Sequence, residues 1–392
     1  NTGSAFENIN NDSTYSGATT LTLDISNATS DMDGYTYRVI LTGNCQLNDT
    51  SDIVSHSIIP NNLYVKQVGS GDESGSSWSN ASSDLQLMIN QACANSEIWV
   101  AAGTYKPNRP ANNLNTIDVN NRSNAFVLKS DIKIFGGFPS TGNPDMTQRD
   151  WNINVTTLSG DIGTINDSTD NCYHVVISSG AIGVAELNGF TVTKGFSNEF
   201  TAIRVNDNYI FNYDGGGMFN AASNPFIANC KFSENTAEYG GGMSNYSSSP
   251  IITNCIFSGN SATVVAGGMS NNSSSPIITN TTFSGNTATD GGGMYNFSSS
   301  PIVSNSIIYG NSSVFYNYNS TPNITYSIIQ GGYTGIGNQD VDPLFVDAPS
   351  YTTAPFTGGD YILQSCSPSI NAGNNALITA GVTTDIGGNP RI

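Results

Sequence analysis

The sequence predicts an all-β protein whose larger part is a parallel β-helix, and three observations lead to that prediction. Gly-Gly-Gly-Met, once altered to Ala-Gly-Gly-Met, recurs every 25 or 26 residues. Prolines keep the same interval, and Phe-x-x-Asn follows each of the first three. A fixed period of this size, without a run of ten residues at helical spacing, indicates a unit of three short strands stacked on copies of itself. The methionines are Met218, Met243, Met269 and Met294, and the prolines are Pro225, Pro250, Pro276 and Pro301.

Alternation within each repeat predicts which side chains point inward. The inward set comprises the four methionines, an aliphatic column and the aromatic column of Phe232, Phe257 and Phe283. Because stacked coils lie about 4.8 Å apart, each inward side chain would rest on its own copy, and the core would be built of ladders. Positions that vary between the copies are expected to point outward; they are Lys231, Ile256, Thr282 and Ile307.

Two columns of asparagine accompany these ladders. Asparagine tolerates the left-handed backbone conformation, and its amide can bond to the copies above and below. Both columns are therefore predicted to hold the bends of the coil together. One column is Asn229, Asn254, Asn280 and Asn305, and the other is Asn220, Asn245, Asn271 and Asn296.

The chain is predicted to form two domains, residues 1–60 and residues 61–392, with the boundary near 58–62. Residues 1–60 show the alternation of antiparallel β-structure. Because a solenoid needs a cap over its first coil, residues 63–105 are interpreted as that cap, with a helix at about 84–94. Ser83 and Gln86 have the spacing of a capping box. Nine or ten coils are expected over 97–346, with regular repeats over 214–311 and a closing segment over 340–392.

Several motifs resemble known families. Asp-x-x-Gly-Tyr-x-Tyr at 31–37 resembles the tyrosine corner of immunoglobulin-like domains, so residues 1–60 are interpreted as the C-terminal part of an Ig-like β-sandwich. Phe-x-x-Asn paired with Gly-Gly-small-aliphatic resembles the polymorphic outer-membrane-protein repeat of bacterial surface adhesins. The order Tyr-Val, Gly/Ser loop, Trp78, helix and Trp-Val-Ala-Ala-Gly-Thr-Tyr resembles the start of pectate-lyase-like right-handed β-helices.

Further motifs extend this resemblance to residues 63–392. They lie at 135–138, 148–151, 158–163, 187–192, 340–346 and 385–391. Together they resemble large secreted right-handed parallel β-helix proteins of Bacteroidota that carry interchangeable, choice-of-anchor C-terminal signals. The resemblance implies type IX secretion, an extracellular or cell-surface location and further domains of a longer chain. It implies no particular activity.

Composition excludes some classes of function. The net charge is −18, only 11% of the residues are charged, and neither Lys nor Arg occurs from Phe232 to Pro390. Nucleic-acid binding requires a basic face and is therefore not expected. No hydrophobic run reaches the length needed to span a membrane.

Enzymatic and metal sites have weak candidates. A uronate lyase needs a basic side chain and a cation beside the substrate carboxylate, and a glycoside hydrolase needs two carboxylates. The catalytic candidates are Asp161, Lys194, Arg204, Asp340 and Asp342. Calcium is the one possible cofactor, with Asp161, Asp167 and Asp170 as candidate ligands, although their spacing matches no known calcium loop. Thr236, Ser261, Thr287 and Ser312 form a row that suggests an ice-binding solenoid as a minor alternative.

The favoured hypothesis is a non-enzymatic module of a larger secreted or cell-surface protein that acts as an adhesin or rigid stalk. Turns at 246–249, 272–275 and 297–300 each end in three serines and are predicted to stack into an exposed polar ridge. Such a ridge suits hydrogen bonding to neutral sugars or proteins better than capture of polyanions. Glycans or surface proteins are the expected partners, and a polysaccharide lyase or glycoside hydrolase remains the alternative.

Overall fold

The computed structural model describes residues 6–28, 32, 34–42, 48–56, 61–378 and 382–388. The chain divides into two compact units, Asn1–Pro60 and Asn61–Ile392. Most of the predicted boundary at 58–62 lies outside the described residues, as do the last four residues of the predicted closing segment. Both units consist mainly of short β-strands joined by turns.

The described part of the first unit contains short antiparallel strand pairs. The pairs are Tyr15–Ser16 with Asp24–Ile25, Thr36–Tyr37 with Val54–Ser55, and Ile40–Thr42 with Asn48–Thr50. Tyr37 Oη lies 3.1 Å from Tyr15 Oη and links two of the pairs. Asp31, which begins the predicted tyrosine corner, lies outside the described residues. The Ig-like assignment of this unit stays a prediction.

The second unit is a parallel β-helix, which confirms the predicted fold class for this part of the chain. Its coils contribute strands to three long parallel sheets, named sheets A, B and C in the order in which each coil enters them. Sheet A comprises Asn62–Val65, Glu97–Ala101, Lys133–Phe138, Glu186–Asn188, Phe226–Ala228, Ile251–Thr253, Ile277–Thr279, Ile302–Ser304 and Asn323–Thr325. Sheet B comprises Gly103–Tyr105, Thr156–Ser159, Thr191–Thr193, Lys231–Ser233, Ile256–Ser258, Thr282–Ser284, Ile307–Ile308 and Ile328–Ile329. Sheet C comprises Phe126–Val127, Val176–Ser179, Met218–Ala221, Met243–Tyr246, Met269–Asn272, Met294–Phe297 and Phe315–Tyr318.

Smaller elements lie at the corners and ends of the coils. A short parallel sheet between sheets B and C contains Phe196–Ser197, Thr236–Tyr239 and Ser261–Val265. Two antiparallel pairs join Ala202–Val205 to Asn208–Phe211 and Phe345–Asp347 to Asp360–Leu363. The helix is Leu85–Gln91, and 3₁₀ turns occur at Trp78–Asn80, Met146–Gln148, Ser168–Asp170, Tyr351–Thr353 and Asn375–Leu377. None of the helices in the described part of the chain has the length and apolar character needed to cross a membrane.

Equivalent side chains stack in register through the core. The methionines pair in sequence on sheet C, and all four side chains are fully buried. On sheet B the rings of Phe232, Phe257 and Phe283 lie 4.7 Å apart between centroids and within 5° of parallel. This distance is about one coil rise. The core is therefore a set of continuous ladders; its methionine ladder is Met218, Met243, Met269 and Met294, followed by Phe315.

The two asparagine columns hold the coils together in different ways. The first lies at the bend from sheet A to sheet B, where Asn229, Asn254, Asn280 and Asn305 have φ between 51° and 54°. The second lies inside the strands of sheet C, and its prediction as a bend column is wrong. The four amides from Asn220 to Asn296 are fully buried, and each donates from Nδ2 to the Oδ1 of the next coil at 2.8–2.9 Å, the last of them to Asn317. A side chain two positions after the inward methionine also points inward, so it bonds along the axis of the coils.

The helix packs on the first strands of the solenoid and is shorter than the predicted span of 84–94. Its buried side chains join the core cluster that contains Leu63 of the first sheet A strand. Those side chains include Leu85, Met88 and Ile89, whose i, i+3, i+4 spacing places them on one face of the helix. The helix therefore covers the apolar end of the first coil.

The predicted capping box is wrong by one residue. Asp84 is the N-cap, and its carboxylate accepts a hydrogen bond from the Leu87 N–H at 2.9 Å. Ser83 Oγ instead donates to the Glu73 carboxylate at 2.7 Å. Gln86 is buried and accepts from the backbone N–H of Val127 at 2.8 Å. A carboxylate binds the positive end of a helix more strongly than a hydroxyl, which favours Asp84 over its neighbour.

The coils begin and end earlier than the predicted range of 97–346. The first parallel strand is Asn62–Val65, which pairs with Glu97–Ala101. The last parallel contact is the bridge between Ile328 and Gln339. Phe345–Asp347 pairs antiparallel with Asp360–Leu363 and therefore lies outside the coils.

Residues 345–378 and 382–388 form a segment, named the strap, that returns along the outside of the coils. Phe356 N donates to Gly259 O at 2.9 Å, and Lys231 Nζ donates to Thr357 O at 2.8 Å. Much earlier in the chain, Trp151 Nε1 donates to Ile386 O at 3.2 Å. The predicted closing segment is thus a lateral brace that spans several coils.

The strap explains why the predicted outward positions of sheet B are not solvent-exposed. Ile256 lies outside the main core cluster, yet its side chain is only 8% exposed. Burial also lowers the pKa of Lys231, which occupies the same column one coil earlier. Alternation gave the direction of these side chains correctly but could not reveal that another segment covers them.

Phe257→Ala is expected to lower the free energy of unfolding by about 3–5 kcal/mol, because it removes a ring packed between two equivalent rings. Ile251→Ala is the matched control, since Ile251 points outward from the same coil and is 41% exposed. That control should cost no more than about 1 kcal/mol. Denaturant titration followed by circular dichroism measures both changes. Equal losses would contradict the assignment of inward and outward faces.

Candidate functional site

Asp161 and Lys194 meet at the bend where neighbouring strands of sheet B end. Asp161 is buried and accepts a hydrogen bond from Lys194 Nζ at 2.8 Å, while Lys106 Nζ lies 3.9 Å away. Asn166 completes the group: its backbone N–H lies 3.2 Å from Asp161 Oδ2, and its side-chain oxygen accepts from Lys194 at 2.7 Å. These four residues, Lys106, Asp161, Asn166 and Lys194, are named the Asp161 cluster.

The cluster holds Asp161 as a carboxylate. Burial acts to raise the pKa of Asp161, but the hydrogen bonds from Lys194 and Asn166 and the charges of Lys194 and Lys106 outweigh it, so the pKa lies below its ordinary value. Glu234 occupies the next turn of the same bend. Burial, with a smaller contribution from Asp161, raises the pKa of Glu234, while Lys194 opposes that rise. The cluster therefore keeps Asp161 ionised and paired with Lys194, and the Glu234 carboxyl belongs to the next turn of the same bend.

Two residues of this bend adopt a backbone conformation that other coils reserve for glycine. Lys194 has φ of 63° and Glu234 has φ of 56°. The equivalent residues of the next two coils are Gly259 and Gly285, with φ of 59° and 68°. A side chain in this region costs free energy unless something compensates for it, and such strain often occurs at functional sites. Backbone conformation therefore singles out the bend that carries the Asp161 cluster.

The structure does not bring the other catalytic candidates to this cluster. Arg204 lies in the hairpin of Ala202–Val205 and Asn208–Phe211, with its guanidinium 4.8 Å from the Tyr209 ring centroid. Asp340 accepts from the Gly331 N–H at 3.0 Å, and Asp342 accepts from the Leu344 N–H at 2.8 Å. Both aspartates are exposed and stabilise turns after the last coil.

The calcium candidates are likewise used by local turns. Asp167 is the N-cap of the 3₁₀ turn Ser168–Asp170, and hydrogen bonds from Thr169 lower its pKa. Asp170 accepts from the Thr164 N–H at 2.6 Å. Within the described ranges, no group of three or more His, Cys, Asp or Glu side chains could hold a metal ion. Calcium ligation by Asp161, Asp167 and Asp170 stays a prediction.

A buried serine–histidine pair, which the sequence analysis did not single out, lies at the bend before sheet C. Ser197 Oγ is 3.3 Å from His174 Nδ1, but it also lies 2.8 and 3.0 Å from the Tyr173 and Asp214 carbonyl oxygens. His174 Nδ1 faces Gly215 O at 3.0 Å, so this nitrogen carries the proton and cannot act as a base. Burial lowers the pKa of His174 to about 4 and raises the pKa of Asp214 to about 8. Because Ser197 is fully buried, the pair braces the bend and cannot attack a substrate.

The serine-rich turns lie between sheet C and sheet A, and their hydroxyls lock successive coils together. The middle serine of each turn is buried and accepts from the backbone N–H of the turn before it at 2.8–3.0 Å. The first and third serines include exposed side chains, such as Ser247 and Ser249. The prediction of an exposed ridge is thus wrong for the middle position. The buried serines are Ser248, Ser274 and Ser299.

Rows of exposed apolar side chains flank these turns. On the sheet C side, Tyr246, Phe297 and Tyr318 are between 37% and 50% exposed, and the rings of Phe297 and Tyr318 stack 5.3 Å apart. The row on the sheet A side is 40–45% exposed and contains Ile251, Ile277 and Ile302. The two rows and the serine turns between them are named the ridge face. Register places these apolar residues in rows, whereas each looks isolated in the sequence.

The row considered for ice binding is only partly available to solvent. Thr236, Ser261, Thr287 and Ser312 are all half-buried. The Ser312 hydroxyl donates to Ala288 O at 3.0 Å. Thr263, two positions after Ser261, is exposed, but its hydroxyl donates to Glu238. Some of these hydroxyls are therefore hydrogen-bonded to other residues of the coils.

No protein-family model and no curated protein matches the sequence. Two solved structures align with the chain at low identity. Pectin methylesterase from carrot is 12% identical, with 70% of this chain and 72% of that chain covered and a TM-score of 0.36. Pectate lyase Pel9A is 13% identical, with 84% of this chain and 96% of that chain covered and a TM-score of 0.43. The fold described above rests on the strand pairing of this chain, and neither likeness transfers an activity to it.

Asp214→Asn is expected to stabilise the protein increasingly as the pH rises from about 4 to about 8. In the folded chain the Asp214 carboxyl has a pKa of about 8, whereas an unfolded aspartate has a pKa of about 4. The wild-type protein therefore loses stability over this interval as the unfolded state releases its proton first, and the asparagine variant does not. Melting temperatures at pH 4, 6 and 8 measure the difference.

Asp290→Asn is the matched control for that experiment, because Asp290 is exposed and occupies the column that contains Asp214 three coils later. It removes one negative charge without removing a buried carboxyl. A difference between Asp214→Asn and the wild type that did not vary with pH would contradict the raised pKa of Asp214.

Proposed function

We propose that this chain is a non-enzymatic binding module of a larger secreted or cell-surface protein, in which a rigid β-helix acts as an adhesin or stalk. The observation that carries the proposal is the ridge face. Exposed apolar side chains rimmed by polar groups are typical of interaction sites in soluble proteins, and in the sheet C row Asn272 stands between Tyr246 and Phe297. The partners proposed for it are neutral glycans or surface proteins.

The charge of the ridge face favours a neutral partner. Asp290 is the only charged residue from Gly241 to Gln339, the stretch that supplies the ridge face. A polyanion would find no cation there, and a polycation would find no cluster of carboxylates. Aromatic rings and aliphatic side chains beside serine hydroxyls instead offer dispersion contacts and hydrogen bonds to the hydroxyl-bearing faces of sugars.

Rigidity supports the same role. The turns of the ridge face are cross-linked by hydrogen bonds from one coil to the next, for example from Ser248 N to Ser274 Oγ at 2.9 Å. Phe297 and Tyr318 are fixed in a stack whose planes differ by 4°. Binding to a surface that is already ordered loses little conformational entropy, which strengthens a weak repetitive contact.

Phe297→Ser combined with Tyr318→Ser is expected to reduce binding to a neutral-glycan array or to host-cell surface protein by about tenfold or more, because it removes the stacked pair. Tyr351→Ser is the matched control, since Tyr351 is an exposed tyrosine of the strap at 38% exposure. Binding is measured with fluorescently labelled protein. Failure to bind any neutral glycan or surface protein, or equal binding by the double variant and wild type, would refute this role.

A second candidate function is cleavage of an acidic polysaccharide at the Asp161 cluster. The observation that favours it is the left-handed backbone of Lys194 beside the buried Asp161 carboxylate. Lys194 donates to Asp161 and to Asn166, so it would act as the cation that neutralises a uronate carboxylate and not as the base. Glu234, whose pKa is raised by burial and which interacts electrostatically with Lys194 and Asp161, would then be the carboxyl for proton transfer.

Incubation with pectin, alginate, chondroitin and neutral glycans, with and without calcium, distinguishes the two functions. A binding module should release no unsaturated or reducing ends. An enzyme should release them and lose at least about a hundredfold in rate with Asp161→Asn or Lys194→Met. Asp340→Asn is the control carboxylate outside the cluster. Cleavage lost in the cluster variants but retained in the control would replace the adhesin proposal.

A further inference from the structure

A cavity of about 840 Å³ lies between the strap and the outside of the last coils. Its inner wall is the bend from sheet A to sheet B, including Asn280 and Asn305, together with Ile307 at the start of a sheet B strand. Its outer wall is the strap, including Tyr361 and Ala372. The ridge face occupies a different corner of the coil, the bend from sheet C to sheet A, so the cavity is a separate place on the molecule.

The bend asparagines change their partners where they line this cavity. Outside the cavity wall, Asn254 Nδ2 donates to Asn229 Oδ1 at 2.6 Å. Asn305 instead turns to the strap: it donates to Asn374 O at 3.0 Å and accepts from Asn374 N at 2.8 Å. Asn280 belongs to the coil between those of Asn254 and Asn305. Its Nδ2 has no hydrogen-bond partner among the described residues, although the side chain is nine-tenths buried.

The cavity wall contains a second buried polar side chain without a hydrogen-bond partner. Ser369 Oγ is buried and has no partner within the described part of the chain. A buried donor without a partner costs about 1–3 kcal/mol, so a ligand in the cavity that Asn280 and Ser369 line would recover this cost if their side chains turned toward it. Asn280 supplies a donor, and Ser369 can donate or accept.

The composition of the wall defines the class of ligand. The wall contains amides, hydroxyls, aliphatic side chains and the rings of Tyr326 and Tyr361, and Asp385 is the only carboxylic acid among the described residues that line it. Among the described residues, neither lysine, arginine nor histidine contributes to it. We propose that this cavity is a binding site for a neutral saccharide of one to a few sugar units. Its volume lies within the range of small-molecule sites, and its polar groups suit hydroxyls and not charged groups.

Titration calorimetry with glucose, galactose, N-acetylglucosamine and cellobiose tests this site in the full chain, with glucuronate and galacturonate as charged comparators. At least one neutral sugar should bind more tightly than either uronate. Asn280→Gly should weaken that binding about tenfold or more, because it removes the donor while glycine accepts the local φ of 53°. Ala372→Trp should weaken it further by filling the cavity.

Two controls separate the site from its surroundings. Asn254→Gly makes the same change one coil earlier, at φ of 53° and outside the cavity wall, and should bind as the wild type does. The ridge variant Tyr318→Ser should also bind normally, so failure of the adhesin proposal would leave this one standing. If Asn280→Gly does not fold, Ala372→Trp decides the question. Absence of binding by every neutral sugar, tighter binding of a uronate, or unchanged binding in Ala372→Trp would overturn the proposal.

Discussion

Stacking in register is the constraint on which the rest of the structure depends. One coil rise of about 4.8 Å separates each side chain from its equivalents in the neighbouring coils. The phenylalanine rings stack at this separation, with their centroids 4.7 Å apart. The glycines before the methionines follow from the same spacing. A Cβ added to Gly217, Gly242 or Gly268 would lie 2.4–2.6 Å from the carbonyl oxygen of the equivalent glycine in the next coil. Each coil therefore limits the side chains of the coils beside it.

The same spacing accounts for the scarcity of charge in the regular coils. Like charges repeated at one coil rise would repel by about 3 kcal/mol near a protein surface. Amides and hydroxyls can stack at that distance and bond to one another, as the chain from Asn220 to Asn317 does. Charged pairs such as Asp161 and Lys194 occur in the earlier coils, where successive copies differ. The neutrality of the ridge face is thus a consequence of repetition.

The sequence predicted those features that depend on neighbours one period apart. The methionine and phenylalanine ladders are visible because each position repeats, and the helix is visible because its apolar residues recur at helical spacing. The cover over Ile256 could not be predicted, since periodicity gives the direction of a side chain but not what packs on it. The hydrogen bond between Trp151 and Ile386 joins segments 235 residues apart that share no motif. Half of the Asp161 cluster was predicted, namely Asp161 and Lys194, whereas Lys106 and Asn166 carry no sequence pattern that links them to either residue.

The strap gives the solenoid a property that repeats alone do not have. Coils that contact only their neighbours can wind one after another as the chain emerges. The strap is made after them, and it must meet Asn305, Gly259 and Trp151 at positions set by the number of coils between them. A solenoid with one coil missing or added would shift these partners by a full coil rise, and the strap would fit at one end only. The strap can therefore make all of its contacts only with a solenoid of one length, so the native fold specifies the number of coils.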